Sequence, residues 1–286
     1  MSRKSRVKKM DWNYEIDRVK MHLRLIQPVD WNNINKYFII STGRTGTKFL
    51  AKFFNEIGNS IAVHEPNPEF LKLAINYAKN EVNKDEVKEK LDLYRRPLAK
   101  KIKRSSFNKY IESNNRLFSL IKPLTDVYEN LKIIHIIRDG RDYVRSGMSR
   151  DWYTSNDDQL RLKSSMFPDD PYFNVWDKMS RFEKICWRWQ KKDNFIYEDL
   201  KIVENYIRIK FREIFNSKNH NGLFKIANYM GISKNKTSKM IDEMIDKKVN
   251  NNKKYEIPRW PEWSKNKRIK FNQIAGEHMN KYFNYN

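Results

Sequence analysis

Lys36–Ala51 reads KYFIISTGRTGTKFLA, and the arrangement of the rest of the chain depends on how this stretch is read. Lys36–Ser41 has the apolar, aromatic and β-branched character of a strand. Thr42-Gly43-Arg44-Thr45-Gly46-Thr47-Lys48 follows, and then Phe49, Leu50, Phe53, Phe54 and Ile57 recur at helical spacing. A strand, a glycine-containing turn and a helix N-terminus in that order aim several backbone N–H groups and the positive end of a helix dipole at one point. Gly43 and Gly46 allow close backbone approach, Thr45 and Thr47 offer hydroxyls, and Arg44 and Lys48 bring charge. These are the parts of a phosphate cradle. An ordinary basic turn has the same outline, however, and the stretch departs from the ATPase pattern G-x-x-x-x-G-K-[ST]. Only two residues separate Gly43 from Gly46, and Lys48 comes one place late. A second signal is needed to say which ligand the loop holds.

Outward from the cradle, Ser60–His64 reads as a strand ending in Glu65-Pro66-Asn67-Pro68, and Glu69–Ser113 has a basic helical pattern. Arg116–Lys122 (RLFSLIK) reads as a third strand, Lys132–Arg138 (KIIHIIR) as a fourth and Tyr206–Phe211 (YIRIKF) as the last. Helices are expected over Asp11–Gln27, Asp142–Arg150, from Trp176 onward, around Leu223–Met230, over Ser233–Val249 and over Lys267–Tyr282. Asp151–Val175 reads as a long surface loop and Asn250–Lys254 as a linker. Strands alternating with helices predict an α/β, P-loop-like three-layer fold, with a central mainly parallel sheet and helices on both faces. Residues 1–33 are expected to form a basic N-terminal tail and helix, and residues 34–286 a single domain.

Ligands on such sheets lie at the carboxyl ends of the strands, where this reading puts Arg44, Glu65, Lys122 and Arg138. Ser146 lies eight residues after Arg138 in the next helix, and Arg150 four further on the same helical face. An arginine at a strand end and a Ser-plus-Arg helix face can grip one phosphate from two sides. With the cradle, they predict a ligand carrying phosphates at two separated positions.

Bulk properties narrow the classes. The 286 residues hold 58 Lys and Arg against 35 Asp and Glu, a net charge of +23, so anionic partners are expected. Aromatic content of 14%, with 8 Trp, supports a folded globule rather than a disordered basic chain. Cys186 is the single cysteine, which rules out an internal disulfide and fits a reducing, cytoplasmic setting. No apolar run approaches the roughly 18–20 residues that span a bilayer. No paired-His motif, CxxC or carboxylate pair beside the cradle indicates a metal.

The two motifs together resemble those of sulfotransferases that use 3′-phosphoadenosine 5′-phosphosulfate (PAPS). In that family [KR]-[ST]-G-[ST] binds the 5′-phosphosulfate, matched here by Arg44-Thr45-Gly46-Thr47, and R-x₇-S binds the 3′-phosphate, matched by Arg138 and Ser146. Arg138-Asp139-Gly140-Arg141, with Ser146 and Arg150, is most similar to the tyrosylprotein and carbohydrate branches, and Trp263–Tyr285 resembles the closing helix of bacterial members. Phe211 departs from the family, which usually has tyrosine there.

The resemblance implies PAPS as cofactor and 3′-phosphoadenosine 5′-phosphate (PAP) as its product, held by Arg44, Thr45, Gly46, Thr47, Lys48, Arg138, Ser146 and Arg150. Arg259 would fold over the nucleotide, the alternative being a plain basic surface loop. It further implies metal-free, in-line sulfuryl transfer to a hydroxyl or amine, with Arg44 at the leaving oxygen and Lys48 and Lys122 as further donors. Glu65 is favoured as general base and His64 competes with it, since strand alternation lets only one face the cleft. The acceptor would be a glycan, glycolipid or peptide tyrosine, favoured over a small apolar alcohol by the positive charge. Two rivals remain: a P-loop kinase, which leaves Arg138 and Ser146 unexplained, and a basic nucleic-acid-binding protein, for which no reading motif is present.

Overall fold

The computed structural model describes residues 11–150, 152–154, 161–217, 219–245 and 255–283. The chain opens with α1 (Trp12–His22), capped by the Asp11 carboxylate, which accepts the Tyr14 N–H at 3.1 Å. β1 (Asn35–Ser41) then leads through the cradle into α2 (Thr47–Ile57). β2 (Ser60–His64), α3 (Leu71–Ala78), α4 (Lys84–Lys103) and β3 (Lys109–Ser113) follow. Next come α5 (Ile121–Val127), β4 (Lys132–Ile137), α6 (Gly140–Met148), α7 (Arg181–Asp199) and β5 (Tyr206–Lys210). The remainder is helical: α8 (Phe211–Phe215), α9 (Asn221–Tyr229), α10 (Lys234–Met244), α11 (Lys265–Phe271) and α12 (Glu277–Phe283), the last two joined by a π-helical turn over Asn272–Gly276.

All five strands are parallel, in the order β2-β3-β1-β4-β5. β1 is buried on both faces from Lys36 to Ser41, which explains its unbroken apolar run. Tyr37 and Ile39 join one core with Phe53, Phe54, Ile226 and Ile241 of α2, α9 and α10. Phe38 and Ile40 face the other core, with Leu91, Leu124, Val144 and Trp187 of α4, α5, α6 and α7. The result is the expected three-layer α/β arrangement.

The third strand is not where the sequence reading put it. It is Lys109–Ser113, and Arg116–Lys122 forms turns that run into α5. Glu112 hid the strand, because a carboxylate in a central strand argues against burial until its partners are known. Here Arg95 of α4 grips it at 2.7 and 2.9 Å, and Asn114 and the Tyr110 hydroxyl donate to it as well. The apolar residues of 116–122 are buried all the same, as turn and first-turn helix. Pro123 is tolerated there because first-turn N–H groups need no intrahelical partner.

Other limits moved less. α1 stops at His22 rather than Gln27, and Ser164–Met166 and Phe173–Lys178 within the expected loop form 3₁₀ turns. His135 is a packed core residue. Its Nδ1 accepts from Arg208, so its Nε2–H donates to Asp193 at 3.0 Å, and His278 of α12 contacts the other oxygen of Asp193 at 2.7 Å. Burial would raise the Asp193 pKa, but the two histidines hold it well below the usual carboxylate range. The network seats the C-terminal helix against α7 and the sheet. The expected tail at 1–10, the linker at 250–254 and parts of the loop (151 and 155–160) lie outside the described residues, as does Tyr285.

Candidate active site

Four strand ends meet around the cradle. Gly43 (φ 101°), Arg44 (φ 59°) and Gly46 (φ 75°) all take positive φ, which turns the chain sharply from β1 into α2. A side chain at Gly46 would strike Phe215, whose ring carbon lies 2.6 Å from the would-be Cβ, and one at Gly43 would press on Asn115 Oδ1 at 3.2 Å. The turn is braced from within: Ser41 Oγ lies 2.7 Å from Thr45 Oγ1 and accepts the Gly43 N–H at 3.1 Å. The Thr45 hydroxyl therefore serves the loop's interior. Thr47 is the first residue of α2 and buried, while Lys48 is exposed.

The second motif closes onto the first. Arg44 Nε donates to Ser146 Oγ at 3.0 Å, and Arg138 Nη1 donates to the Arg44 carbonyl at 2.6 Å. Arg138 leaves the end of β4, and its guanidinium rests on the Phe211 ring at 4.6 Å. The expected tyrosine contact there is replaced by stacking. Burial, then the charges of Arg150 and Arg138, pull the Arg44 pKa down to about 10. Burial lowers that of Arg138 as well. Among the described residues, Arg138 Nε and Thr42 Oγ1 are buried without a hydrogen-bond partner. Cations that crowd one another and orphaned donors in a cradle fit a polyanionic, phosphate-bearing group.

On the other side, Glu65 (φ 42°) breaks from the end of β2 and turns its carboxylate onto the β3–α5 loop. Asn115 Nδ2 donates to Oε1, and Arg116 Nε lies 3.0 Å from Oε2. His64 Nδ1 instead contacts the Ser113 carbonyl of the neighbouring strand at 3.0 Å. Asn115 also lies against Gly43, so Glu65 and the cradle share one contact residue.

Lys192 was not anticipated. This fully buried lysine of α7 donates to the Asn115 carbonyl at 2.8 Å and to the Thr42 carbonyl at 3.3 Å. Burial pushes its pKa well below that of an ordinary lysine. Nothing in WQKKDNF distinguished it from a surface lysine except its spacing from the buried Trp189 and Ile185.

Lys122 is not at a strand end. It lies in the first turn of α5, where its backbone N–H donates to Asp199 at 3.2 Å. The convergence argument that included it rested on the misplaced third strand. Arg259 is exposed and caps the 3₁₀ turn Trp260–Glu262, whose Trp260 packs on Trp263 and Phe271. A nearby stretch does reach the site: Arg145 of α6 stacks on Tyr255 at 3.7 Å and donates to the Ile257 carbonyl at 3.2 Å. Tyr255 also lies close enough to Arg44 and Arg138 to influence both charges. Among the described residues no cluster of His, Cys, Asp and Glu could hold a metal ion, and no helix is long and apolar enough to cross a membrane.

No protein-family model matches this sequence, and no curated protein does. Solved structures do. A sulfotransferase from Mycobacterium avium, STF9, superposes with a TM-score of 0.57 at 9% identity, over 94% of this chain and 80% of its own. Mouse sulfotransferase SULT7A1, solved in complex with PAP, gives 0.47 at 13% identity over 89% and 90%. A sulfotransferase domain from the curacin biosynthetic pathway gives 0.44 at 12% over 70% and 75%. The likeness to the mycobacterial enzyme establishes that this chain has a sulfotransferase-like fold.

Proposed function

We propose that this chain is a PAPS-dependent sulfotransferase acting on the hydroxyl of a glycan, glycolipid or peptide tyrosine. One observation carries the reading. Arg44 and Ser146, 102 residues apart, are in hydrogen-bond contact, which joins the candidate 5′-phosphosulfate loop and the candidate 3′-phosphate pair into one site. The orphaned Arg138 Nε and Thr42 Oγ1 support it, as does the mutual crowding of the arginines.

When bound, PAPS supplies the sulfuryl group and a phosphate leaving group. The backbone N–H groups of the cradle and the N-terminus of α2 would hold its 5′ end, with Arg44 and the exposed Lys48 adding charge. Arg138, Ser146 and Arg150 would hold its 3′-phosphate. Glu65 would take the acceptor proton, oriented by Asn115 and Arg116. The bond from His64 Nδ1 to the Ser113 carbonyl favours Glu65 over its neighbour. Lys192 would keep Thr42 and Asn115 in register, and through them the cradle and the base.

Calorimetric titration with PAP, beside ATP plus Mg²⁺, tests the cofactor. Arg138→Ala and Ser146→Ala are each expected to weaken PAP binding roughly ten- to a hundredfold, about 1.5–3 kcal/mol. Glu65→Gln is expected to bind PAP normally and to lose sulfuryl transfer from labelled PAPS. Preference for ATP with Mg²⁺, or no binding of either nucleotide, would overturn the reading.

A further inference from the structure

Arg188 has no assigned task. It lies one turn before Lys192 on α7, on the same face of the helix. Its Nε and Nη1 are buried without a hydrogen-bond partner, and among the described residues no ion pair engages it. The guanidinium packs on the Trp152 ring at 4.4 Å. The Tyr143 ring packs on the same Trp152 at 5.5 Å, and its fully buried hydroxyl also lacks a partner among the described residues. Burial raises the Tyr143 pKa, and the charges of Arg188, Arg161, Arg44 and Arg138 oppose it. One turn on, Lys192 donates to the Asn115 carbonyl, and the Asn115 side chain donates to Glu65.

Buried N–H and O–H donors without acceptors are costly, and several together mark a place for an acceptor-only group. The cofactor does not account for this one. Its phosphates are matched by the cradle and by Arg138, Ser146 and Arg150, whereas Arg188 stands on α7 one turn from Lys192, which holds the Asn115 that donates to Glu65.

We infer that Arg188 and Tyr143 form an anion subsite for the acceptor, so that the hydroxyl offered to Glu65 belongs to a molecule that also carries a carboxylate or sulfate ester. This rests on the sulfotransferase reading and deepens it. Arginine over an aromatic ring suits such a site, because stacking fixes the plane while the N–H groups stay directed at the oxyanion.

The test is binding to PAP-saturated protein of three matched glycosides: p-nitrophenyl β-glucoside, its 6-sulfate, and p-nitrophenyl β-glucuronide. At least one charged member is expected to bind tenfold or more tightly than the neutral one, and which of them does so separates sulfate from carboxylate. Arg188→Gln should erase that preference while leaving PAP affinity and neutral-glycoside binding unchanged. Arg188→Lys should keep part of it, and Tyr143→Phe should weaken the charged glycoside several-fold. Unchanged PAP affinity also shows that each variant is folded. Equal binding of all three, binding of none, or loss of PAP affinity in Arg188→Gln overturns the subsite. Failure of the wild type to bind PAP overturns the sulfotransferase reading instead.

Discussion

Asn115 touches both halves of the candidate site, since its side chain lies against Gly43 and donates to Glu65. Its backbone carbonyl takes the shortest of the Lys192 hydrogen bonds. Under the proposed function, a residue so placed would orient the base without reacting. Asn115→Ala is therefore expected to lower the rate of transfer about ten- to a hundredfold through misplacement of Glu65. PAP affinity should change less than threefold, because the phosphate contacts lie elsewhere. A PAP affinity that falls as far as the rate would show that Asn115 serves the cradle instead. The place of Glu65 was legible in the sequence because it follows an apolar strand directly and meets two prolines. Asn115 and Lys192 were not, since their roles depend on groups 50 and 150 residues away, Glu65 and the Thr42 carbonyl.

At the scale of elements, the same contrast separates β1 and β4 from β3. β1 runs apolar from Tyr37 to Ile40 and β4 has isoleucines on both sides of His135, the signature of strands covered on both faces. β3 carries Glu112, and only the tertiary contact with Arg95 makes it a central strand. Glu112→Ala would leave Arg95 buried and unpaired, and is expected to cost about 3–5 kcal/mol, read from denaturant unfolding. A loss under 1 kcal/mol would mean that the pair does not hold β3 in place.

The junction of α5 and α7 is expected to respond to pH. Burial pushes the Asp199 pKa up to about 6 from 3.8, against the opposing effect of the backbone N–H groups of Lys122 and Ile121. The folded state then holds the proton more tightly than the unfolded one. Asp199 therefore stabilises the fold relative to its ionised form at low pH, and this contribution is lost as pH rises from about 4 to about 6. Asp199→Asn removes the titration. The difference in stability between wild type and variant should shift by on the order of 1–3 kcal/mol across that window, in favour of the variant as pH rises. Parallel stability curves would refute the assignment.

For the whole molecule, the net charge of +23 has a local consequence as well as a global one. Arg138 and Arg150 lie close enough to Arg44 for their charges to repel its own. A ligand with phosphates at both ends of the site should relieve that repulsion and raise the unfolding temperature. At a hundred times its dissociation constant, one ligand adds about 2.7 kcal/mol, which corresponds to roughly 5–10 °C for a chain of this size. Arg138→Ala, with affinity ten- to a hundredfold weaker, should show at most about half that shift at the same PAP concentration. Raising ionic strength from about 0.15 M to 1 M shortens the screening length from about 8 to 3 Å, and should shrink the wild-type shift further. ATP with Mg²⁺ lacks the 3′-phosphate and should give the smaller effect in the wild type. If Arg138→Ala shows the full shift, the charge of this protein serves some partner other than a two-phosphate nucleotide, and the basic surface rather than the cradle becomes the place to look for it.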